Sequence, residues 1–319
     1  MATSGSYNYN LQRDAIITMA FQLINVYGFD DTVSSNDNAY AVKVLNAMTK
    51  MWEVEGVKLW KRRIGYLFTA DATHTYYLGS VSGANHCTNT YVKTTISADE
   101  AASQTVLSLT STTGMTAADN IGIELDDGTR QWTTIVSVDS STQVTITTAL
   151  TGAAASGNTV VTYTSKINRP LKVIRGTTLD LNTNTETQMA MISHDQYFNT
   201  PVKSTAGTPN NMYYDKILGN SLPYTGTLYV FPEPNDVDKI ITFSYLDGIQ
   251  DFDGATDDMD MPQEWLYPLV YNLACQLAVA YGKFEELQAL RPEAQAFKQV
   301  LMDADSDDEP LRISVKRRH

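Results

Sequence analysis

Hydrophobic positions follow a helical period at both ends of the chain and an alternating period in the middle. Apolar residues three and four apart predict a helix over residues 12–27, which Gly28 ends. A second helix follows a short turn, with Ser34 or Ser35 as its N-cap. Because two amphipathic helices joined by so short a loop pack antiparallel, residues 1–57 are predicted to form a helical hairpin.

The middle of the chain is predicted to be β structure. Residues 58–96 and 164–250 contain short alternating runs separated by Gly, Pro, Asn and Asp. Between them, residues 97–163 are rich in Thr and Ser, with Arg130 as their only basic residue and a hairpin signal at Asp126-Asp127-Gly128. This segment is predicted to be a small β-sandwich or barrel, inserted into the parent region and removable without unfolding it. Its predicted strands are residues 106–109, 121–125, 132–138, 144–147 and 160–163.

Helical periodicity returns in residues 251–303, after Pro262, a residue type favoured at the first position of a helix. Pro268 is expected to kink the first of these helices or delay its start, and Pro292 to break the second. Residues 304–319 lack a helical period and are predicted to be an extended tail. The predicted fold class is α+β: helical hairpins from both chain ends pack into a bundle, beside a β region and an inserted small β-sandwich or barrel domain.

Composition excludes several classes of protein. The formal net charge of −13 is unfavourable for wrapping DNA or an anionic membrane, although it suits a surface that DNA passes without sticking. No apolar run approaches the ~20 residues that span a bilayer. The N-terminal sequence lacks the basic and apolar regions of a signal peptide. The 2 cysteines are too few for a disulfide framework and indicate a reducing cytoplasm.

No set of residues has the spacing of a catalytic or metal site. The 4 histidines lack the i, i+4 spacing of a zinc helix, and His86-Cys87 is interpreted as an exposed loop because no third partner can be named. The Asp-rich segments 251–254 and 303–307 begin like calcium loops but depart from the Gly and Glu positions of such loops. We therefore expect no enzyme activity, no cofactor and no metal.

A cluster of cations after the second helix leaves two interpretations open. It comprises Lys58, Lys61, Arg62 and Arg63. The favoured interpretation is a helix-to-strand junction with one solvated face, and the alternative is a contact with DNA.

Four strings of residues resemble a known protein family. In chain order they are Leu45–Trp60, Lys203–Tyr214 with its Lys…Gly-x-Pro…Tyr pattern, Leu228–Pro234 with its terminal Pro-x-Pro, and Met261–Gly282. They resemble, respectively, the N-terminal helical hairpin, a recurring β segment, a strand and the first C-terminal helix of the head-to-tail adaptors of short-tailed bacteriophages (podoviruses). That family includes the tail accessory factors and proteins like tail tubular protein A. Residues 97–163 are expected to lie outside the common core of the family.

The resemblance implies a structural protein of the virion neck, made and assembled in the cytoplasm of the bacterial host. It implies a ring of about twelve copies that docks under the portal protein, extends the DNA channel and helps to retain the packaged genome. The same ring gives the tail hub or nozzle a surface for attachment, and DNA passes through it without sequence-specific binding. Trp52, Trp265 and Leu273 are expected to be buried in the ring wall or between subunits.

The tail is the predicted portal-binding segment. It alternates apolar residues without belonging to an internal element, so it needs the groove or strand edge of a partner. The candidate portal-binding residues are Leu311, Arg312, Ile313, Val315, Lys316, Arg317 and Arg318. Two other functions stay open: a tail-associated host-surface or glycan-binding protein that acts through the inserted β domain, and a hydrolase of cell-wall glycan.

Overall fold

The structure, a computed structural model, describes residues 5, 9–55, 61–216 and 224–304. The chain divides into two units. The helical unit comprises Met1–Lys61 and Ile249–His319, and the sheet unit comprises Arg62–Gly248. This mixture of helices and curled sheets confirms the α+β class.

Helices dominate the two ends of the chain, and strands fill the middle. The helices are α1 (Arg13–Leu23), α2 (Ser35–Glu55), α3 (His194–Phe198), α4 (Leu266–Ala280), preceded by a 3-10 turn (Gln263–Trp265), and α5 (Phe284–Ala304). The strands are β1 (Arg62–Leu67), β2 (Thr75–Leu78), β3 (Cys87–Thr88), β4 (Val92–Thr95), β5 (Val106–Ser108), β6 (Asn120–Glu124), β7 (Arg130–Ser140), β8 (Gln143–Ile146), β9 (Thr159–Tyr163), β10 (Lys172–Asp180), β11 (Thr185–Met191), β12 (Asn211–Asp215), β13 (Gly226–Phe231) and β14 (Lys239–Leu246).

The first helix ends earlier than its hydrophobic period predicts. Asn25 has a φ of 51°, and the amide of Val26 donates to the carbonyl of Phe21 at 3.2 Å. This geometry satisfies the last carbonyls of a helix, and Asn tolerates the left-handed conformation better than most residues. The helix therefore stops at Leu23, and the predicted end at Gly28 is wrong.

The start of α2 and the two prolines of the C-terminal helices have simple physical explanations. Ser34 caps α2, since its Oγ accepts from the amide of Asp37 at 3.2 Å. Pro268 is the third residue of α4, where an amide would have no intrahelical partner. The predicted break at Pro292 is wrong, because α5 continues through it. Pro292 is exposed, so water can satisfy the carbonyl that loses its hydrogen bond.

One hydrophobic cluster of the helical unit contains side chains from α1, α2 and α4. Fully buried examples are Phe21, Leu45 and Leu277. Half-buried side chains of α5, such as Leu287 and Leu290, pack against this cluster.

The sheet unit contains two sheets. The first has eight strands in the order β2-β13-β12-β11-β10-β14-β1-β3, and its pairs are antiparallel except for β11 with β12. Its buried face includes Tyr76, Phe243 and Tyr245, which are at most 1% exposed. A Cβ at Gly176 would meet the end of the Met212 side chain at 2.5 Å, so a larger residue there would force this buried side chain to move.

The second sheet has six strands in the order β4-β9-β6-β7-β8-β5 and curls into a barrel-like shape. Its two outer strands meet, because Ile96 bridges Leu109 and the amide of Thr110 donates to the carbonyl of Thr95 at 2.9 Å. The hairpin at Asp126-Asp127-Gly128 forms as predicted: Gly128 has a φ of 81° and its amide donates back to Leu125. Strand β4 precedes residue 97 but pairs with β9, so this sheet extends beyond the predicted segment.

The sequence interpretation missed α3, which lies in the predicted β region. Its signal was present as a capping box. Ser193 Oγ accepts from the amide of Gln196 at 3.2 Å, and the Gln196 side chain accepts from the Ser193 amide at 2.9 Å. A serine followed three residues later by glutamine is a sequence pattern that marks a helix start.

Candidate assembly surfaces

The three predicted packing residues lie in the interior of the helical unit. Trp52 is 2% exposed, Trp265 is 4% exposed and Leu273 is fully buried. The two indole rings lie 5.7 Å apart. Because these side chains fill the core of a single chain, other side chains are left to contact neighbouring molecules.

The predicted portal-binding residues, Leu311 to Arg318, lie outside the described residues, as does the whole segment from residue 305 to the C-terminus. The last described element before them is α5, which ends at Ala304.

A second apolar stripe follows the solvent side of α2, which the sequence interpretation missed. Tyr40, Met51 and Val54 are 44%, 64% and 83% exposed. Together with half-buried Val44 and exposed Ala47 they repeat at spacings of four and three residues. That spacing places the five side chains on one face. We call these five residues the α2 face. The same spacing could have been read from the sequence, one position before the buried stripe of Ala41, Leu45, Met48 and Trp52.

A groove lies along the α2 face, between α2 and the C-terminal helices. Its volume is about 450 Å³, and it is lined by Val44, Ala47, Met48, Met51, Trp52, Glu55, Asn272, Gln276 and Lys298. Lys298 borders it: the ammonium lies 5.1 Å from the centre of a Trp52 ring and pairs with Glu55. An attraction between a cation and an aromatic face holds this lysine beside the groove.

Helix α5 is the least buried of the long helices. Ala294 is its only buried residue, although Phe284 and Val300 are apolar and 59% and 66% exposed. Tyr267 of α4 is 54% exposed and packs its ring edge-to-face against Phe297 of α5. A large apolar area of this helix is thus open to a partner.

The barrel-like sheet is joined to the eight-stranded sheet through a buried ion pair. The Arg130 side chain is 1% exposed; it donates to Asp238 Oδ1 at 2.8 Å and to the carbonyl of Val237 at 2.7 Å. Asp238 also accepts from Asn182 Nδ2 at 2.8 Å. Burial lowers the pKa of Arg130, and the Asp238 carboxylate opposes that shift. Removal of either partner of a buried charge pair is strongly destabilising, because the other charge is left buried without a counter-charge.

Aromatic side chains complete the same junction. Trp132 of the barrel stacks on His86 with ring centres 3.7 Å apart, and His86 Nδ1 lies 2.6 Å from the hydroxyl of Tyr163. Phe68 packs with these rings in a cluster that contains residues of both sheets. Burial, with a smaller contribution from Lys166, lowers the pKa of His86 to about 3, so the imidazole is neutral at ordinary pH.

The expectation that His86-Cys87 forms an exposed loop is wrong. Cys87 is fully buried in β3, and burial raises the pKa of its thiol well above the usual range. A buried, protonated thiol is a poor nucleophile. His86 and Cys87 therefore support packing, and the described residues contain no group of three or more His, Cys, Asp or Glu that could hold a metal ion.

The cationic cluster near residue 60 is largely neutralised where it is described. Lys61 is 2% exposed and pairs with Asp260, while Arg63 Nε lies 3.3 Å from Asp247 Oδ2. These contacts fit the junction interpretation rather than a DNA contact, and Lys58 lies outside the described residues.

A comparison with protein families gives a match over residues 101–314, about two thirds of the chain, to the family described as SU10 adaptor protein. The match runs through residues 101–163, which were expected to lie outside the common core. No curated protein matches the chain. None of the helices formed by the described residues is both long and apolar enough to span a membrane. The match agrees with the exposed apolar helix faces and with a histidine and a cysteine that are buried and unreactive. The chain belongs to the SU10 adaptor protein family, whose members are phage adaptor-type proteins.

Proposed function

We propose that this protein is a head-to-tail adaptor of a short-tailed phage, which forms a ring of about twelve copies beneath the portal. The ring extends the DNA channel, helps to retain the packaged genome and gives the tail hub or nozzle its attachment surface. The protein is then a non-enzymatic component of the virion neck, assembled in the host cytoplasm. The observation that carries the proposal is the match of residues 101–314 to an adaptor family.

The helices of both chain ends are proposed to pack as a bundle that forms the ring wall. Support comes from the shared core of α1, α2 and α4, in which Trp52, Trp265 and Leu273 are buried. Further support comes from the apolar α2 face and from α5, which leave the helical unit with more exposed apolar surface than a monomer needs.

The charge of the chain is consistent with a channel that releases DNA. A net charge of −13 disfavours the release of counterions from DNA, which is what makes DNA binding strong. DNA therefore passes along the ring without sequence-specific contacts.

The C-terminal tail is proposed to anchor each copy in the portal. Its apolar residues Leu311, Ile313 and Val315 alternate with or precede cations, so one side of an extended segment can enter a groove while the basic side chains meet portal carboxylates. Repetition of this anchor around the ring raises the effective concentration of every tail.

The alternative, a glycan-binding role through residues 97–163, is not favoured by any contact described above. The junction of this sheet with its parent uses Arg130, Trp132 and Tyr163 for internal packing. The match to an adaptor family also favours a structural role.

The test is complementation of a phage that lacks this protein. Deletion of residues 310–319 should leave a folded chain that no longer joins DNA-filled heads, so particles lose DNA and tails do not attach. Two matched variants separate the causes: serine at Leu311, Ile313 and Val315 removes the apolar side chains, and glutamine at Lys316, Arg317 and Arg318 removes the charges.

Sedimentation of particles and measurement of their retained DNA give the result. Normal yields of tailed, DNA-full particles with the deletion variant would contradict the anchoring role. A wild-type chain that is absent from the neck of mature particles would contradict the adaptor function as a whole.

A further inference from the structure

We propose that the α2 face of one chain binds the outer face of α5 of a second copy, and that this heterologous contact, repeated, closes the ring. The inference rests on the proposed function, because it names the partner that covers the exposed apolar surface of the helical unit. We call the α2 face, which receives a helix of the second copy, the acceptor surface. We call the outer face of α5, which is that helix, the donor surface.

The acceptor surface is the α2 face with its groove. Five apolar side chains at heptad-like spacing extend over 15 residues, or about 21 Å of helix. Among the described residues, Val54 is 83% exposed and Met51 is 64% exposed, so most of each apolar side chain is open to solvent. A face of this spacing, beside a groove, is a typical acceptor for a second helix.

The donor surface is the side of α5 that points away from its own core. Ala289, Pro292, Ala296 and Val300 are all exposed and repeat at spacings of three and four. They lie on the opposite side of the helix from the buried Ala294. Alanine and proline are small, so a helix with this face can approach the floor of a groove closely. The stripe covers 12 residues, about 16 Å, which is close to the length of the α2 face.

The charges beside the two faces are opposite in sign. Lys43 lies next to the α2 face, and Glu285 and Glu293 lie next to the α5 stripe. All three side chains are exposed and form no ion pair among the described residues. By contrast, the neighbouring Lys50 is already engaged by Glu53 and Asp251. Docking of α5 on the α2 face of another copy gives Lys43 an acidic partner and sets the direction of approach.

A contact between unlike surfaces forms a closed ring when the rotation from one chain to the next closes after a whole number of copies. Each chain offers both faces, so every contact leaves one free α2 face and one free α5 face at the ends of the assembly. Growth continues until the last chain meets the first. A contact of α2 with α2 would instead stop at a dimer.

Cysteine cross-linking in assembled particles tests the contact. The chain carries Met51→Cys and Ala296→Cys in a Cys275→Ser background, and is supplied to a phage that lacks the protein. Purified particles are treated with a short bismaleimide and separated by denaturing electrophoresis. Matched controls are Met51→Cys alone, Ala296→Cys alone, and Ala15→Cys combined with Ala296→Cys, since Ala15 is an exposed alanine on α1.

The expected result is a ladder of multimers from the double variant, and monomers from all three controls. Dimers from Met51→Cys alone would show that α2 faces α2 and would overturn the inference. Monomers only from the double variant, in particles that contain the chain, would also overturn it while leaving the adaptor role intact. Absence of the wild-type chain from particles would instead overturn the proposed function, and this contact with it.

Discussion

The helical unit and the sheet unit differ in the arrangement of their buried and exposed side chains. In the sheet unit, Arg130 pairs with Asp238 and Trp132 stacks on His86, so contacts within one chain close the junction between the two sheets. In the helical unit, Met51, Val54 and Val300 remain exposed. The junction of the sheet unit is therefore closed within one chain, whereas the helical unit keeps a row of exposed apolar side chains on one face of α2.

The largest expected effect is on the stability of the sheet unit, when the junction between its two sheets is removed. Replacement of residues 97–163 by a Gly-Ser linker removes Arg130, the cation paired with Asp238, and β9, the strand paired with β4. It also uncovers Phe68 and Ile240. We now expect the deletion to unfold or aggregate the sheet unit, contrary to the sequence-based prediction that it is removable.

Circular dichroism and a thermal melt of the deletion variant provide the measurement, and Arg130→Ala serves as the smaller perturbation of the same junction. A deletion variant that melts like the full chain would mean that the two sheets are independent, and the contrast between the units would fail.

A smaller effect is expected at the centre of the helical unit. Leu273→Ala creates a cavity in the shared core and should lower the free energy of unfolding by about 2 to 5 kcal/mol. Val279→Ala on the same helix is the control, because Val279 is 56% exposed and should cost less than about 1 kcal/mol. Chemical denaturation measures both. Equal effects for the two variants would show that α4 does not have one buried and one open side.

The smallest effect depends on pH and concerns His86. Its pKa is about 3 in the folded chain, below the ordinary value of 6.5, so between these values the unfolded chain binds more protons. Stability is unaffected at pH 7 and falls as the pH drops through this window, by roughly 2 kcal/mol at pH 5. His86→Gln should remove this part of the acid dependence. The free energy of unfolding is measured at pH 7 and pH 5 for both proteins. A variant that loses as much stability as the wild type between these two pH values would exclude His86 as the source of the acid dependence.

Local signals in the sequence predicted much of the fold. The turn at Asp126-Asp127-Gly128 formed because Gly accepts a positive φ at the third position. Two details of the predicted helices were wrong: α1 ends early because Asn25 takes a positive φ, and α5 continues through the exposed Pro292. Periodicity reports neither backbone geometry nor solvent exposure. Short α3 was overlooked although Ser193 and Gln196 carry its capping signal.

The functional surfaces were harder to predict, because they depend on contacts between distant parts of the chain. His86 and Trp132 stack although 46 positions separate them, and no local pattern announces such a pair. Arg130, the only cation of its segment, was a visible signal, since a lone charge among Thr and Ser needs a partner elsewhere. The spacing of the α2 face is also visible in the sequence. However, two adjacent apolar stripes on one helix have the pattern of a single broad core face, and only the exposure of each side chain distinguishes them.

The pairing of the two outer strands of the barrel affects how the chain behaves at high local concentration. Strands β4 and β5 satisfy each other through Ile96 and Leu109, so the backbone groups there are not offered to a neighbouring chain. An unprotected strand edge invites wrong pairing and aggregation between copies of a chain at high local concentration. A barrel that pairs its own outer strands removes one site of wrong pairing where copies lie close together, as they would in the proposed ring.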